Sequence, residues 1–253
     1  MAKQFGKLGA KIIIWDINKE GCINTLNVLK NYNVECWYYI VDISKREEIY
    51  EAARKVKKDI GDVDILINNA GIVTGKKIFD SQDELMELTM AVNTISHFFT
   101  TKAFLPSMLE RNSGHIVSIA SLAGKFGVAG LADYCASKFG AIGFSESVAE
   151  EIISLKKDNV HVTTVCPYYI DTKMFEGVKT LSPNLLPILE PEYVVEKIID
   201  AVLTNQEYLY MPKFSYFANI LYAIFPVKAT RVLAEYFGVN ASIEDFIRKD
   251  DTN

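Results

Sequence analysis

The chain has 253 residues, of which 49% are hydrophobic and 23% are charged. This balance excludes a disordered chain and suffices for one α/β domain with a sizeable core. The net charge of −5 argues against a nucleic-acid partner. No run of the sequence reaches the roughly 18 apolar residues that a membrane-spanning helix needs.

Short apolar runs alternate with amphipathic stretches over the first two thirds of the chain. The opening MAKQFGKLG predicts the end of a helix that Gly9 stops. Such an alternation predicts a parallel sheet with helices on both faces, a doubly wound Rossmann-type α/β fold in a single domain over 1–253. The predicted strands are 11–15, 36–41, 63–67, 115–120 and 160–166, and the predicted helices are 19–31, 45–60, 82–110 and 131–156.

The rhythm changes at about residue 167, after which six of the seven prolines occur. We therefore expect 167–253 to form the substrate side. Within it, the apolar segment 214–227 is too short to span a membrane and is broken by Pro226. It predicts either a helix that contacts a membrane surface or a buried helix beside an apolar substrate pocket. Three basic residues flank the segment: Lys213, Lys228 and Arg231.

Cysteines and histidines show neither a disulfide nor a metal-binding pattern. The three histidines lack the spacing of metal ligands, so we expect no metal. No cysteine pair has CxxC spacing, which predicts reduced thiols in a protein that faces the cytosol. The four cysteines are Cys22, Cys36, Cys135 and Cys166.

Polar or turn-forming residues follow each predicted strand. Ligands of doubly wound sheets bind at the carboxyl ends of the strands, so these positions are the candidate site. They are Asp16, Asp42, Asn68–Gly71, Ser121 and Pro167. An acid such as Asp16 can accept hydrogen bonds from the adenosine ribose and repel a 2′-phosphate, which favours NAD over NADP. The alternative is that Asp16 caps the next helix.

Two further features each have a functional and a structural interpretation. The small residues of Asn69-Ala70-Gly71 let the backbone approach a flat ligand, but the sequence also fits an ordinary turn. Asn93 lies inside a predicted helix, where asparagine is unfavourable. It either faces the site and holds a water molecule, or it is a solvated or helix-capping asparagine.

Tyr134 and Lys138 are one helical turn apart and therefore share a helix face. A nearby ammonium lowers the pKa of a phenol, which could then act as an acid or base towards an alcohol. The Y-x-x-x-K pattern occurs three times, also at Tyr169 and Tyr193, so by itself it is weak. Only the first pair has a serine, Ser121, thirteen residues upstream and just after a predicted strand.

Together these pieces resemble the short-chain dehydrogenase/reductase family, and within it the membrane-associated branch of retinol and 17β-hydroxysteroid dehydrogenases. The resemblance rests on NNAG at 68–71, Asn93, Ser121, YCASK at 134–138 and PYYIDT at 167–172. It extends over nearly the whole chain. It implies an NAD-dependent alcohol dehydrogenase that interconverts a lipophilic alcohol and its carbonyl. The substrate pair that it favours is all-trans-retinol and retinal.

The resemblance also implies a role for each site residue. Tyr134 would be the catalytic acid or base, Lys138 would bind the nicotinamide ribose and tune Tyr134, and Ser121 would orient the substrate oxygen. Asn93 would complete a proton relay through water. The remaining residues would contact the cofactor: Asp16 the adenosine ribose, Asp42 and Ile43 the adenine, Asn69, Ala70 and Gly71 one wall, and Pro167, Ile170 and Thr172 the nicotinamide end.

Two departures from the family pattern stand out. Tyr168 follows Pro167 where the family usually has glycine. The family also begins with a strand and a TGxxxGxG loop, and we expect both to be missing before the segment 1–11, which leaves a vacant position between the strands at 11–16 and 63–67. Two alternatives therefore stay open: a 17β-hydroxysteroid dehydrogenase, and a non-catalytic protein that binds a partner or a lipid surface.

The resemblance further implies a location and a partner. The branch resides on the endoplasmic reticulum membrane or on lipid droplets, with its catalytic domain on the cytosolic face. Many members of the family pair through their long helices. We therefore expect a membrane or lipid-droplet surface and a homodimer as partners of this chain.

Overall fold

The computed structural model describes residues 1–239 and residue 246. Six strands alternate with nine helices within these residues. The strands are β1 (Ile12–Asp16), β2 (Cys36–Ile40), β3 (Ile65–Asn68), β4 (Gly114–Ile119), β5 (Val160–Pro167) and β6 (Tyr208–Met211). The helices are α1 (Ala2–Lys7), α2 (Lys19–Lys30), α3 (Arg46–Asp59), α4 (Asp83–Met90), α5 (Ser96–Arg111), α6 (Ala132–Ser154), α7 (Pro191–Leu203), α8 (Phe214–Ile224) and α9 (Val227–Tyr236).

All strand pairs are parallel, which confirms the predicted α/β fold. β1 pairs with β2, and β3, β4, β5 and β6 form a second sheet in that order. In the second sheet Val117 of β4 lies opposite Thr163 of β5, and Val165 of β5 lies opposite Leu209 of β6. The carboxyl ends of β3, β4 and β5 therefore meet at one edge of this sheet, where the candidate residues lie.

The two sheets are separated by a break in strand pairing between β1 and β3, here called the seam. No backbone ladder joins β1 to β3 within residues 1–239. Both strands nevertheless contribute to the same apolar layers: Ile12 and Ile65 pack in the layer that holds Phe5, and Ile13 and Leu66 pack in the layer on the other face. β1 and β3 thus share the same apolar layers, although no backbone hydrogen bonds pair them across the seam, as we expected.

Helix α1 ends where the sequence predicts. Leu8 is its C-cap, and Gly9 follows with a φ of +92°, a backbone conformation that favours glycine. Phe5 is the buried residue of this helix, and it packs with Val194 and Ile198 of α7. The short helix α1 therefore packs onto the core on the same face of the sheet as α7.

Two elements differ from the predictions. The predicted helix 82–110 is divided into α4 and α5 by a π-helical turn, Ala91–Ile95. Strand β6 was not predicted, since its four residues stand between Glu207 and Pro212 in the proline-rich part of the chain. Among the described residues no helix is long and apolar enough to cross a membrane. The division of the chain into a cofactor side and a substrate side stays a prediction.

Candidate active site

Ser121 follows β4 and begins a short 3-10 turn, Leu122–Gly124. Its Oγ accepts a hydrogen bond from the backbone N–H of Ala123 at 3.1 Å and lies 3.5 Å from the carbonyl oxygen of Pro167, to which it donates. A hydrogen bond also joins the side chains of Ser121 and Tyr134. The serine is thus held between the ends of β4 and β5 and against the tyrosine.

Helix α6 supplies both Tyr134 and Lys138 from one buried face. Their side chains are 5% and 3% exposed, and the Lys138 Nζ lies 5.6 Å from the centre of the Tyr134 ring. Lys138 Nζ donates a hydrogen bond to the carbonyl oxygen of Ile119, the last residue of β4, at 2.8 Å. This bond fixes the lysine at the carboxyl edge of the sheet.

The pKa of Tyr134 is raised, whereas the sequence predicted that it would be lowered. Burial raises it well above its usual value, and the hydrogen bond with Ser121 opposes that rise only in part. Burial also lowers the pKa of Lys138 to about 8, which weakens the positive charge near the phenol at neutral to alkaline pH. The predicted lowering of the Tyr134 pKa was therefore wrong for this state, because the desolvation of the phenol outweighs its hydrogen bond with Ser121.

Asn93 lies in the π-helical turn between α4 and α5 and is fully buried. Its Oδ1 accepts from the backbone N–H of Ile72 at 2.8 Å, and its Nδ2 donates to the Ile72 carbonyl and to Ser137 Oγ, each at 2.9 Å. A solvated Asn93 is thus excluded. The amide pins the chain after β3 to α6, and its role in a water relay stays a prediction.

Gly71 provides a close approach of the backbone to the site. A Cβ at this position would lie 3.3 Å from Asn93 Oδ1 and 3.5 Å from Lys138 Nζ. The neighbouring Asn69 and Ala70 are exposed. Asn68 instead has a structural contact, since its buried Oδ1 accepts from Thr100 Oγ1 at 2.7 Å. The bare backbone at Gly71 leaves room for a flat ligand group in front of the lysine.

A cavity of about 380 Å³ brings most of the predicted residues together. Those in its lining are Asn69, Gly71, Ser121, Tyr134, Lys138, Pro167, Ile170 and Thr172. Its size lies near the lower end of the roughly 300–1,000 Å³ of ligand pockets. Asp16, Asp42, Ile43, Ala70 and Asn93 are outside this lining.

Asp16 and Asp42, which we predicted to contact the adenosine end of the cofactor, lie at the ends of β1 and β2. The seam separates them from the cavity. Asp16 is exposed, and its Oδ1 accepts from the backbone N–H of Asn18 at 2.9 Å. The cap of α2 is Asn18, whose side chain accepts from the Gly21 N–H, so Asp16 is not the cap. Asp42 accepts from the Ser44 hydroxyl at 2.6 Å, which lowers the pKa of the Asp42 carboxyl.

Sequence reasoning missed an aromatic wall around the tyrosine. The Phe175 ring lies edge-on to Tyr134 with the ring centres 6.0 Å apart, and 5.1 Å from the Tyr169 ring. It also missed His97, whose pKa burial lowers to about 3, with the charge of Lys138 adding to that effect. The cluster of aromatic residues in PYYIDTKMF was the only signal for the wall, and His97 had none.

A comparison with known proteins decides the family. The sequence profile described as short chain dehydrogenase matches residues 1–181. The chain belongs to the short-chain dehydrogenase/reductase family. It is an oxidoreductase of that family, and it is similar to epidermal retinol dehydrogenase 2 of Mus musculus. The two are 50% identical over 247 residues, which are 97% of this chain and 80% of the mouse protein.

Solved structures of the short-chain dehydrogenase/reductase family agree with the fold. A metagenomic short-chain oxidoreductase in complex with NADP is 28% identical with a TM-score of 0.67, and the match covers 81% of this chain and 83% of that one. A short chain dehydrogenase/reductase of Burkholderia phymatum in complex with NAD has a TM-score of 0.78 at 21% identity and covers 87% and 86%. The second likeness bears on the fold alone.

Proposed function

We propose that this chain is an NAD-dependent dehydrogenase that interconverts all-trans-retinol and retinal. One observation carries the proposal: the hydrogen-bonded side chains of Ser121 and Tyr134 face the same cavity as Lys138. A hydroxyl pair beside a buried amine, in the lining of a mainly apolar cavity, suits proton transfer to and from the oxygen of an alcohol. The similarity to epidermal retinol dehydrogenase 2 of Mus musculus, at 50% identity, supports the choice of substrate.

The chemistry divides between the protein and the cofactor. NAD, when bound, supplies the hydride acceptor for alcohol oxidation and, as NADH, the donor for reduction. Ser121 Oγ orients the substrate oxygen, and Tyr134 Oη gives or takes the proton on that oxygen. The raised pKa of Tyr134 keeps the phenol protonated, which suits it to donate a proton to a carbonyl. Lys138 holds its place through the Ile119 carbonyl.

The residues present fit the two ends of NAD. Gly71, Lys138 and Thr172 line the cavity beside Tyr134, where the nicotinamide end fits. Asp16 fits the adenosine ribose, because its exposed carboxylate stands at the carboxyl end of β1 and is not used as a helix cap. A carboxylate there repels the 2′-phosphate of NADP, so we assign NAD. The cofactor would reach from one end to the other across the seam between β1 and β3.

An elongated apolar substrate suits the space next to the catalytic cavity. A larger cleft of about 1230 Å³ lies between the loop at 122–130 and helices α8 and α9. Its lining is mainly apolar and includes Leu122, Phe214, Leu221 and Leu233. Such a cleft can hold the hydrocarbon part of a retinoid while the hydroxyl group reaches Ser121. A steroid alcohol is the alternative substrate of the same chemistry.

Turnover of all-trans-retinol with NAD, followed by NADH absorbance, tests the proposal. The purified chain should form NADH, and Tyr134→Phe should lower kcat/KM at least about a hundredfold, since it removes the acid–base group. Tyr193→Phe is the matched control. Tyr193 belongs to another Y-x-x-x-K pair, on α7, and it lies outside the cavity. Equal, measurable activity of the chain and Tyr134→Phe would refute the role of Tyr134, and no NADH formation by the chain itself would favour the non-catalytic alternative.

We also propose that the chain works on the cytosolic face of the endoplasmic reticulum membrane or of a lipid droplet. Helix α8 supports this, because its exposed side chains include Phe217, Ile220 and Ile224, with exposed fractions of 54%, 55% and 71%. The basic residues Lys213 and Lys228 stand at the two sides of this apolar segment. An apolar helix face beside basic residues is typical of contact with an anionic lipid surface.

A further inference from the structure

Residues 71–74, here called the wall segment, lie in the loop that follows β3. The first of them, Gly71, lies beside Lys138, because a Cβ on Gly71 would be 3.5 Å from Lys138 Nζ. Two residues further on, Val73 packs against the buried apolar cluster that contains Tyr134. The wall segment therefore passes from the lysine towards the beginning of α6, along the helix face that bears both catalytic residues.

A hydrogen bond between two side chains fixes the far end of the wall segment. Thr74 Oγ1 donates to Asp133 Oδ2 at 2.6 Å, although the two residues are 59 positions apart in the chain. Asp133 is 8% exposed and lies in the first turn of α6, directly before Tyr134. A hydroxyl that donates to a carboxylate at this distance makes one of the stronger types of hydrogen bond.

Asn93 attaches the wall segment to α6 at a second point. Its amide bonds to the backbone N–H and carbonyl of Ile72 and also donates to Ser137 Oγ on α6. Ser137 and Asp133 are about one helical turn apart, and Tyr134 lies between them in the sequence. The wall segment is thus attached to α6 on both sides of the catalytic tyrosine.

We propose that Thr74 and Asp133 are positioning residues for the reaction at Tyr134. The inference rests on the proposed function, in which the nicotinamide end of the cofactor lies against Gly71. The bond between the two side chains holds this wall at a fixed separation from the turn that carries the acid–base group. Neither Thr74 nor Asp133 lines the catalytic cavity, so both act through their neighbours. Without the bond, the wall and the tyrosine lose their alignment, on which the transfer of hydride and proton depends.

Thr74→Val and Thr74→Ser form the decisive pair of variants. Valine has the shape of threonine without its hydroxyl, whereas serine keeps the hydroxyl. Thr74→Val should lower kcat for retinol oxidation about tenfold with KM for retinol almost unchanged, because misaligned reacting groups cost rate. Thr74→Ser should retain most of the parent rate, and so should Asp133→Asn, which keeps an oxygen that can accept the bond.

Thr25→Val is the matched control. It removes a partly buried hydroxyl that donates to the carbonyl oxygen of Gly21 at 2.9 Å within α2, away from the wall segment. This variant should keep the parent kcat. Circular dichroism identifies a variant that fails to fold. Asp133→Leu, which removes the acceptor instead of the donor, then takes the place of Thr74→Val and should lose the same share of kcat.

Hydrogen exchange, followed by mass spectrometry, reports on the bond itself. Loss of a local contact raises the exchange of the backbone amides around it. Exchange in the peptide 71–77 should therefore be faster in Thr74→Val than in the parent chain and in Thr74→Ser. Unchanged exchange in Thr74→Val overturns the inference, and so does faster exchange in a variant that turns over retinol as fast as an active parent chain.

Binding of NADH separates this inference from the proposed function. A parent chain that binds NADH but forms none from retinol and NAD contradicts the proposed function alone. A dissociation constant for NADH that is raised in Thr74→Val and not in Thr74→Ser then still supports the positioning role, and equal constants overturn it. A folded parent chain that binds no NADH overturns both.

Discussion

Replacing Lys138 with methionine tests the electrostatics of the site. Burial lowers the pKa of this lysine from 10.5 to about 8 in the folded chain. Between these two values the unfolded chain binds the proton and the folded chain does not, so the free energy of unfolding rises with pH. Integration of this difference gives a rise of about 1.3 kcal/mol between pH 7 and pH 9 from Lys138 alone.

Urea unfolding at several pH values, followed by circular dichroism, measures this rise. Methionine is about as long as lysine and carries no charge, so the stability of Lys138→Met relative to the parent chain should fall by about 1.3 kcal/mol between pH 7 and pH 9. The other titrating groups occur in both proteins and largely cancel in the difference.

Lys197→Met is the control for this measurement. Its ammonium lies 3.1 Å from an Asp200 oxygen, and that hydrogen bond raises the pKa of Lys197 above its usual value. A raised pKa adds stability that is fully present below the unfolded value and is lost only at higher pH, so Lys197→Met should show no trend over the same range. A stability difference between the parent and Lys138→Met that stays flat from pH 7 to pH 9 would refute a desolvated lysine.

Three further changes address the cofactor and the membrane. Asp16→Ala should raise the affinity for NADPH relative to NADH at least about tenfold, because a repulsive carboxylate is lost; an unchanged ratio in fluorescence titrations would count against the assignment of NAD. Gly71→Val should weaken NADH binding, since its side chain fills the space before Asn93 and Lys138; an unaltered dissociation constant would place the cofactor elsewhere. Ile220→Glu should reduce flotation with anionic liposomes, and a parent chain that never floats would end the membrane proposal.

Much of the fold follows from the sequence, because apolar runs and helical periodicity report burial directly. The predicted strand 115–120 and helix 131–156 correspond to β4 and α6. The strand β6 could not be recognised, since YLYM is short and stands before Pro212. The π-helical turn at Asn93 was also hidden, because its cause is tertiary: the Asn93 amide bonds to Ile72 and Ser137, which are distant in sequence.

The candidate site was predictable in its residue types but not in its electrostatics. The spacing of Ser121, Tyr134 and Lys138 predicted their grouping at the strand ends, and the structure brings them to one cavity. Spacing alone could not reveal that Lys138 bonds to the Ile119 carbonyl or that burial raises the pKa of Tyr134. Both depend on how much water the packed chain excludes, which a linear pattern does not report.

The central claim is that the chain holds NAD across the seam between β1 and β3, against Gly71 and Lys138. A titration of the purified chain with NADH, followed by the fluorescence of the cofactor, tests it most directly. The account predicts saturable binding with a dissociation constant on the order of micromolar, corresponding to about −8 kcal/mol, and displacement by NAD. A sample that is folded by circular dichroism and yet binds no NADH would contradict it.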